Sequence, residues 1–211
     1  MTENISGILE ASYKPQREAE SDLVKLGYKY DPELSSMDTK VFVDKEGSPH
    51  IAYRGSVRAK EDWLSNANIL FGGKSSKDTE AVETAKKVQS KYGKAPTTYG
   101  HSRGSRSAEL AGEATGGKTY TYNKAALPQD AFKKIRKEQT DIRTSKDIVS
   151  LPSVFQTGGQ KITIQSDPTD TFLKAHSLGE LKEKTKRSVP LEPTISSKIK
   201  SALFSSPLKF Y

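Results

Sequence analysis

A hydroxyl attacks a carbonyl when three groups meet: a serine held within reach, an imidazole that takes its proton, and a carboxylate that orients the imidazole. The first is offered by Tyr99-Gly100-His101-Ser102-Arg103-Gly104-Ser105, a Gly-x-Ser-x-Gly stretch centred on Ser102. In a nucleophile elbow such a serine occupies a strained strand-to-helix turn. Its Oγ projects above the sheet, and the next backbone N–H, that of Arg103, points where an oxyanion would form. Gly100 and Gly104 have no Cβ, so the turn can close and the helix can pack on the strand. The competing reading is an ordinary Gly-Ser turn. The context favours the elbow, because residues 95–100 read as a short strand and residues 105–114 as a helix stopped by Gly116 and Gly117.

Chain order narrows the partners. In α/β-hydrolases the serine comes first, the acid second and the histidine last. The chain has three histidines. His50 precedes the elbow and is excluded by that order. His101 adjoins Ser102, with its side chain directed away from the nucleophile. His176 remains as the base, although a lone histidine is more often structural or merely exposed. Asp130, Asp141, Asp147, Asp167 and Asp170 lie between Ser102 and His176. Asp147 comes just past an expected strand end, where catalytic groups of α/β sheets gather, and Asp170 is the runner-up.

Composition sets the frame for these residues. The 211 residues suffice for one domain with a single core. Hydrophobic residues make up 33%, which is polar for such a domain, so a compact core with polar ends is expected. There is no cysteine, which removes thiol nucleophiles, disulfides and thiolate-bound zinc. The start of the chain has no basic run followed by an apolar one, so no signal peptide is read. No stretch approaches the ~18 apolar residues of a membrane span, and the default compartment is cytoplasmic. A formal net charge of +8 favours anionic surfaces, or simply solubility.

The elements that must position the site follow from periodicity. Residues 3–26 read as an amphipathic helix broken near Pro15. Strands at 40–44 and 49–53 form a hairpin around Glu46-Gly47-Ser48. The second strand runs into Arg54-Gly55-Ser56, a corner that supplies a second oxyanion donor or is an ordinary turn. Trp63 reads as core. Ile69-Leu70-Phe71-Gly72-Gly73 reads as packed core or as a small apolar flap. Residues 78–92 are a helix, with Ala81, Val82, Ala85, Val88 and Tyr92 on one face and Ser75 to Asp78 as its capping box. Further strands are expected at 118–123 and 140–144, a basic helix at 130–138, and a hairpin over 154–166 turning at Gly158-Gly159. The alternation from 40 to 145 argues for α/β with a mostly parallel sheet. Residues 1–183 are read as one domain. The Lys/Ser/Pro-rich residues 184–211 are read as a basic tail with docking points at 202–204 and 208–211.

Four segments together resemble the class 3, fungal-type lipase family of α/β-hydrolases. Val41-Phe42-Val43 followed by Ile51-Ala52-Tyr53-Arg54-Gly55-Ser56 resembles its strand ending in an aromatic-Arg-Gly-Thr/Ser motif. Asp62-Trp63 resembles its Asp-Trp pair, Gly100 to Gly104 its Gly-His-Ser-Leu-Gly elbow, and Asp147 to Pro152 its acid loop. The resemblance covers roughly residues 20–180. It implies Ser102 as nucleophile, Asp147 as acid and His176 as base. It implies Ser56, through its N–H and hydroxyl, and the Arg103 N–H as the oxyanion hole. Arg103 stands where the family has leucine, and its charge near the pocket favours an anionic head group. Ser105 replaces a common second glycine. The segment between Trp63 and the helix at 78 is short, so the lid is small or absent.

The resulting expectation is a serine carboxylic-ester hydrolase, a lipase or phospholipase, with an acyl-enzyme and no metal or cofactor. A lipid or other acyl ester is the substrate, and an anionic membrane surface the partner. The alternative is a hydrolase scaffold without activity that binds anionic membrane or nucleic acid. Nucleic acid is disfavoured, because aromatics are not interleaved with the basic runs.

Overall fold

A computed structural model describes residues 2–56, 76–126 and 128–186. The broken N-terminal helix is present as α1 (Thr2–Ser12) and α2 (Gln16–Lys25), separated at Pro15. Seven strands form one sheet in sequential order: β1 (Lys29–Tyr30), β2 (Thr39–Val43), β3 (Pro49–Tyr53), β4 (Thr97–His101), β5 (Thr119–Tyr122), β6 (Lys134–Thr144) and β7 (Thr157–Ile164). The expected hairpin is the antiparallel pair β2–β3, and β1 adds antiparallel to β2. From β3 to β7 every pairing is parallel. The expected, mostly parallel α/β sheet is therefore what the chain forms.

Helix α3 (Ser76–Tyr92) precedes β4, and α4 (Gly104–Thr115) connects β4 to β5. Both lie on one face, because crossovers of one hand advancing in one direction leave their helices on the same side. Their Ala81, Ala85, Val88, Ala108 and Ala111 pack on Val41, Ile51 and Tyr53. The other face takes α1, α2 and α6 (Leu178–Lys186). There Ile8, Leu9, Leu23 and Leu181 meet Phe42, Ala52, Tyr99, Tyr122, Ile142 and Ile164. Adjacent residues such as Val41 and Phe42 face opposite cores, which is the period-two alternation of a strand buried on both sides. Helix α4 stops where Gly116 takes φ 75°, as the glycine pair suggests.

Two expectations fail in the C-terminal half. Residues 130–138 do not form a basic helix. A 3-10 turn at Pro128–Asp130 leads into β6 instead. The segment is rich in helix formers, but Lys134 and Ile135 pair with Thr157 and Gly158 of β7 and the strand continues into the parallel sheet, and that pairing overrides a weak propensity. Phe132 is 86% exposed, so no apolar helix face exists to compete. Residues 154–166 do not form a hairpin either. A 3-10 helix at Leu151–Phe155 leads into the single strand β7. Gly158 and Gly159 do have positive φ, but they serve a register shift in which Ile135 pairs with Gly158 and Thr140 with Gln160. A Cβ on Gly159 would lie 2.6 Å from Ile135 Cδ1 and 2.8 Å from the Gln139 carbonyl. The pair marks a close backbone approach within a strand, not a reversal.

Helix α6 crosses the expected domain border at 183/184, and the tail from 187, with its docking points, lies outside the described residues. So do Ser75, Asp62, Trp63, the 69–73 cluster and any lid between them. Among the described residues no helix is long and apolar enough to cross a membrane.

Gly104 is packed against the end of β3. A Cβ there would run into the Tyr53 carbonyl and lie 2.9 Å from the Arg54 carbonyl carbon. Gly104→Ala is therefore expected to destabilise the domain by about 1–3 kcal/mol, the usual cost of overpacking. Urea unfolding of the two proteins measures it.

Candidate active site

Ser102 directly follows β4 with φ 53°, one of two positive-φ non-glycine residues among the described ones. That left-handed turn reverses the chain from strand to helix within three residues, and α4 starts at Gly104. Its backbone is held on both sides. The Ser102 N–H donates to the Tyr122 carbonyl at 3.1 Å. Its own carbonyl accepts from Ser105 N–H at 3.1 Å and Ala125 N–H at 3.2 Å. A Cβ at Gly100 would lie 2.5 Å from Ser105 Cα, so the strand and the helix touch through glycine. Ser105 uses the position well: its hydroxyl donates to the Gly100 carbonyl at 3.0 Å.

His176 closes the short helix α5 (Phe172–His176). Its Nε2 lies 2.9 Å from Ser102 Oγ, and its Nδ1 lies 3.0 Å from Asp147 Oδ1. A carboxylate can only accept, so Nδ1 carries the proton and Nε2 is left to receive that of the serine. Asp147 follows the end of β6 and is fully buried. Burial alone raises a carboxyl pKa. Here the His176 contact, Ser150 and the Val149 N–H outweigh it and hold Asp147 below the usual carboxylate range. The Val149 N–H donates to Oδ1 at 3.0 Å and the Ser150 N–H to Oδ2 at 3.3 Å.

The structure also places the residues that were alternatives. Asp170 stands aside from this line, paired with Lys174 at 2.7 Å. Asp141 is within the sheet, where Lys124 pairs with it at 2.6 Å. Asp130 pairs with Lys133. Asp167, Asp170 and Glu180 bring potential metal ligands within 4.8 Å of one another, outside the Ser102–His176–Asp147 line. His50 is engaged by Tyr99 and Asp44 at 3.1 and 3.2 Å. His101 is buried, with its ring against those of His176 and Tyr122. The Gly55–Ser56 corner reaches the serine: a Cβ on Gly55 would lie 3.4 Å from Ser102 Cβ, and Ser56 itself is exposed. The Arg103 guanidinium turns away from the role that its charge suggests. It donates to the buried Asp78 on α3 at 3.3 Å, beside Arg106 at 3.0 Å.

Several supporting residues carry no obvious signal in the sequence. Asn123, the second left-handed residue, donates through Nδ2 to the Ala175 carbonyl at 2.7 Å and accepts the Thr144 N–H at 2.8 Å. The Thr144 hydroxyl reaches the same Ala175 carbonyl at 2.6 Å. The residue before His176 is thus fixed from β5 and β6 together. Arg143 donates to the Asp147 carbonyl at 2.8 Å and to Ser150 Oγ at 3.2 Å, which ties down the acid loop. Only Asn123 has a readable cue, since asparagine tolerates the left-handed region better than most residues.

Residues 9–198 match the family model of a phospholipase-like domain, the Tle-like phospholipase domain. The chain belongs to this family. Its kind of function is accordingly that of a lipase-type ester hydrolase. Among solved structures it is similar to a deletion mutant of the Rhizomucor miehei lipase propeptide complex, with 14% identity over 85% of this chain and 74% of that one, at a TM-score of 0.49. The native form of that complex gives 15% identity, the same coverages and a TM-score of 0.46. The Lip2 lipase of Yarrowia lipolytica shares 15% identity over 77% of each chain, at a TM-score of 0.44. No curated protein matches the chain in sequence. In this phospholipase-like domain the elbow, the acid loop and the histidine helix all open on the edge where the parallel strands end.

The lowered pKa of Asp147 makes a stability prediction. Its folded pKa lies below the ~3.9 of the unfolded chain, so its contribution is complete above that value and is lost as pH falls through the folded one. Asp147→Asn is expected to be clearly destabilising at neutral pH and much less so in acid below the folded pKa. Urea midpoints of both proteins at the two pH values measure this.

Proposed function

We propose that this chain hydrolyses acyl esters of phospholipids through Ser102, His176 and Asp147. The observation that carries the reading is the unbroken line Asp147 Oδ1–His176 Nδ1 and His176 Nε2–Ser102 Oγ, at 3.0 and 2.9 Å, ending on a serine in left-handed backbone. His176 Nε2 takes the Ser102 proton as Oγ bonds to the acyl carbonyl carbon. Asp147 steadies the imidazolium that forms. The negative charge on the carbonyl oxygen falls to the Arg103 N–H, at the start of α4, and to Ser56 through its N–H and hydroxyl. The alcohol leaves with the proton from His176. Water then repeats the sequence on the acyl-enzyme, with His176 as its base, and releases the fatty acid.

Three observations support a lipid as the acyl donor. The family model is that of a phospholipase-like domain. The segments that carry Asp147 and His176 present Ile148, Leu151 and Leu173 to solvent at 51%, 51% and 38% exposure. Such apolar side chains beside a reacting carbonyl suit an alkyl chain. The net charge of +8 draws the domain toward an anionic bilayer.

Hydrolysis of phosphatidylglycerol in vesicles, read by fatty-acid release, tests the reading. Ser102→Ala and Asp147→Asn are each expected to lower kcat by about 10⁴. Equal activity in folded Ser102→Ala would remove the serine from the mechanism. The apolar rim is tested separately. Ile148→Asp combined with Leu173→Asp is expected to depress turnover of a long-chain p-nitrophenyl ester at least ~10-fold more than that of the butyrate. An unchanged ratio would place the alkyl chain elsewhere.

A further inference from the structure

His101 precedes the proposed nucleophile, and its side chain does not touch it. What it touches instead joins three separate parts of the chain. Its Nδ1 lies 2.7 Å from the hydroxyl of Tyr13, in the turn between α1 and α2. Its Nε2 lies 2.8 Å from the backbone carbonyl of His176. The Tyr13 hydroxyl oxygen also accepts the Gly55 N–H at 3.1 Å.

The direction of each bond in this line is determined. A carbonyl only accepts, so the His101 proton is on Nε2. Burial, followed by the neighbouring His176, pushes the His101 pKa down to about 3, so the ring is neutral and Nδ1 is an acceptor. Burial also raises the Tyr13 pKa, so the phenol keeps its proton and donates it to Nδ1. The tyrosine oxygen is then left with lone pairs for Gly55. No link can reverse without stranding a buried donor or acceptor, which costs ~1–3 kcal/mol.

We infer that Tyr13 and His101 form a positioning relay that sets the backbone of the base, His176, and the oxyanion corner, Gly55–Ser56, from one buried imidazole. The inference rests on the triad reading above. The relay explains why Gly55 cannot be larger. A Cβ there would run into the Tyr13 hydroxyl and would lie 2.7 Å from the His101 carbonyl. It also gives the N-terminal helices a part in the site, although they supply no group that reacts. Helix α1 is anchored by Ile8, Leu9 and Ala11, all fully buried, so the tyrosine hydroxyl is held by core packing. A base and an oxyanion donor carried on different loops keep their spacing only if something rigid refers to both.

Three substitutions take the relay apart. Tyr13→Phe keeps the ring and removes the hydroxyl. His101→Gln keeps a donor near Nε2 and loses the acceptor, whereas His101→Asn keeps an acceptor at Nδ1 and loses the donor to His176. On p-nitrophenyl butyrate, Tyr13→Phe and His101→Gln are expected to lower kcat about 10- to 100-fold, with KM within about twofold and the acid limb of the pH–kcat/KM profile unmoved. His101→Asn is expected to lower kcat and to displace that limb, because it releases the base itself. Wild-type kcat in folded Tyr13→Phe and His101→Gln overturns the relay. So does an equal loss in all three with one common acid limb, which is a shared packing defect. Nitrogen NMR of the unsubstituted protein tests the relay without any variant: a neutral His101 with its proton on Nε2 is expected, and the Nδ1–H tautomer or a charged ring overturns it. Labelling with a fluorophosphonate separates the two readings. If the wild type is neither labelled nor active, the triad and the relay both fall. If it is labelled and Tyr13→Phe reacts at the same rate, only the relay does.

Discussion

The left-handed backbone of Ser102 is the constraint on which the rest of the site depends. A serine at φ 53° costs of the order of 1–3 kcal/mol relative to an ordinary turn. The surroundings hold it there by taking up both of its backbone polar groups and by leaving no room for side chains at Gly100 and Gly104. Those glycines do more than permit the turn. They let α4 lie directly on β4 and on the end of β3, and this contact brings the Gly55–Ser56 corner beside the hydroxyl. The strain, the helix N-terminus and the second loop are therefore one arrangement seen from three sides.

The other half of the site repeats the device one strand along. Asn123 follows β5 in left-handed backbone just as Ser102 follows β4. Its amide binds the Ala175 carbonyl and the Thr144 N–H, so the last residues of two parallel strands and the histidine helix share one side chain. Asp147 is buried, and no arginine or lysine bonds its carboxylate directly among the described residues. It is satisfied by backbone N–H groups and the imidazole, while Arg143 holds the loop around it. In the proposed mechanism the carboxylate held in this way is the counter-charge for the proton taken from the serine.

Much of this was legible in the residues themselves. The turn at Ser102 was readable because its geometry demands glycine at two fixed offsets, and the proposed base was picked out because only one histidine follows the serine. The proposed acid, Asp147, was picked out because it falls just past a strand end, where Asp170 does not. The N-terminal hairpin was readable because two short apolar runs, Val41-Phe42-Val43 and Ile51-Ala52-Tyr53, flank a glycine turn. The C-terminal half was not. Residues 130–138 look helical by composition, and Gly158-Gly159 looks like a turn, because neither local signal contains the parallel neighbour that overrules it. The tie between Arg103 and Asp78, the grip of Asn123 on Ala175, and the line from Gly55 through Tyr13 to His101 span 25, 52 and 88 positions at their longest links. Contacts at such separations leave no periodicity to read.

The meeting of the chain's distant parts has a kinetic side. Helix α1 packs against α6, and Lys182 bonds Glu10 at 3.0 Å across the interval. Contacts between residues so far apart in sequence make folding slow, since a long loop must close before they form. During synthesis the serine leaves the ribosome 74 residues before its histidine. For that interval the nascent chain carries the proposed nucleophile without its proposed base, and the most C-terminal of the described helices, α6, is the one that packs on α1. The proposed site is complete only once the chain has closed on itself.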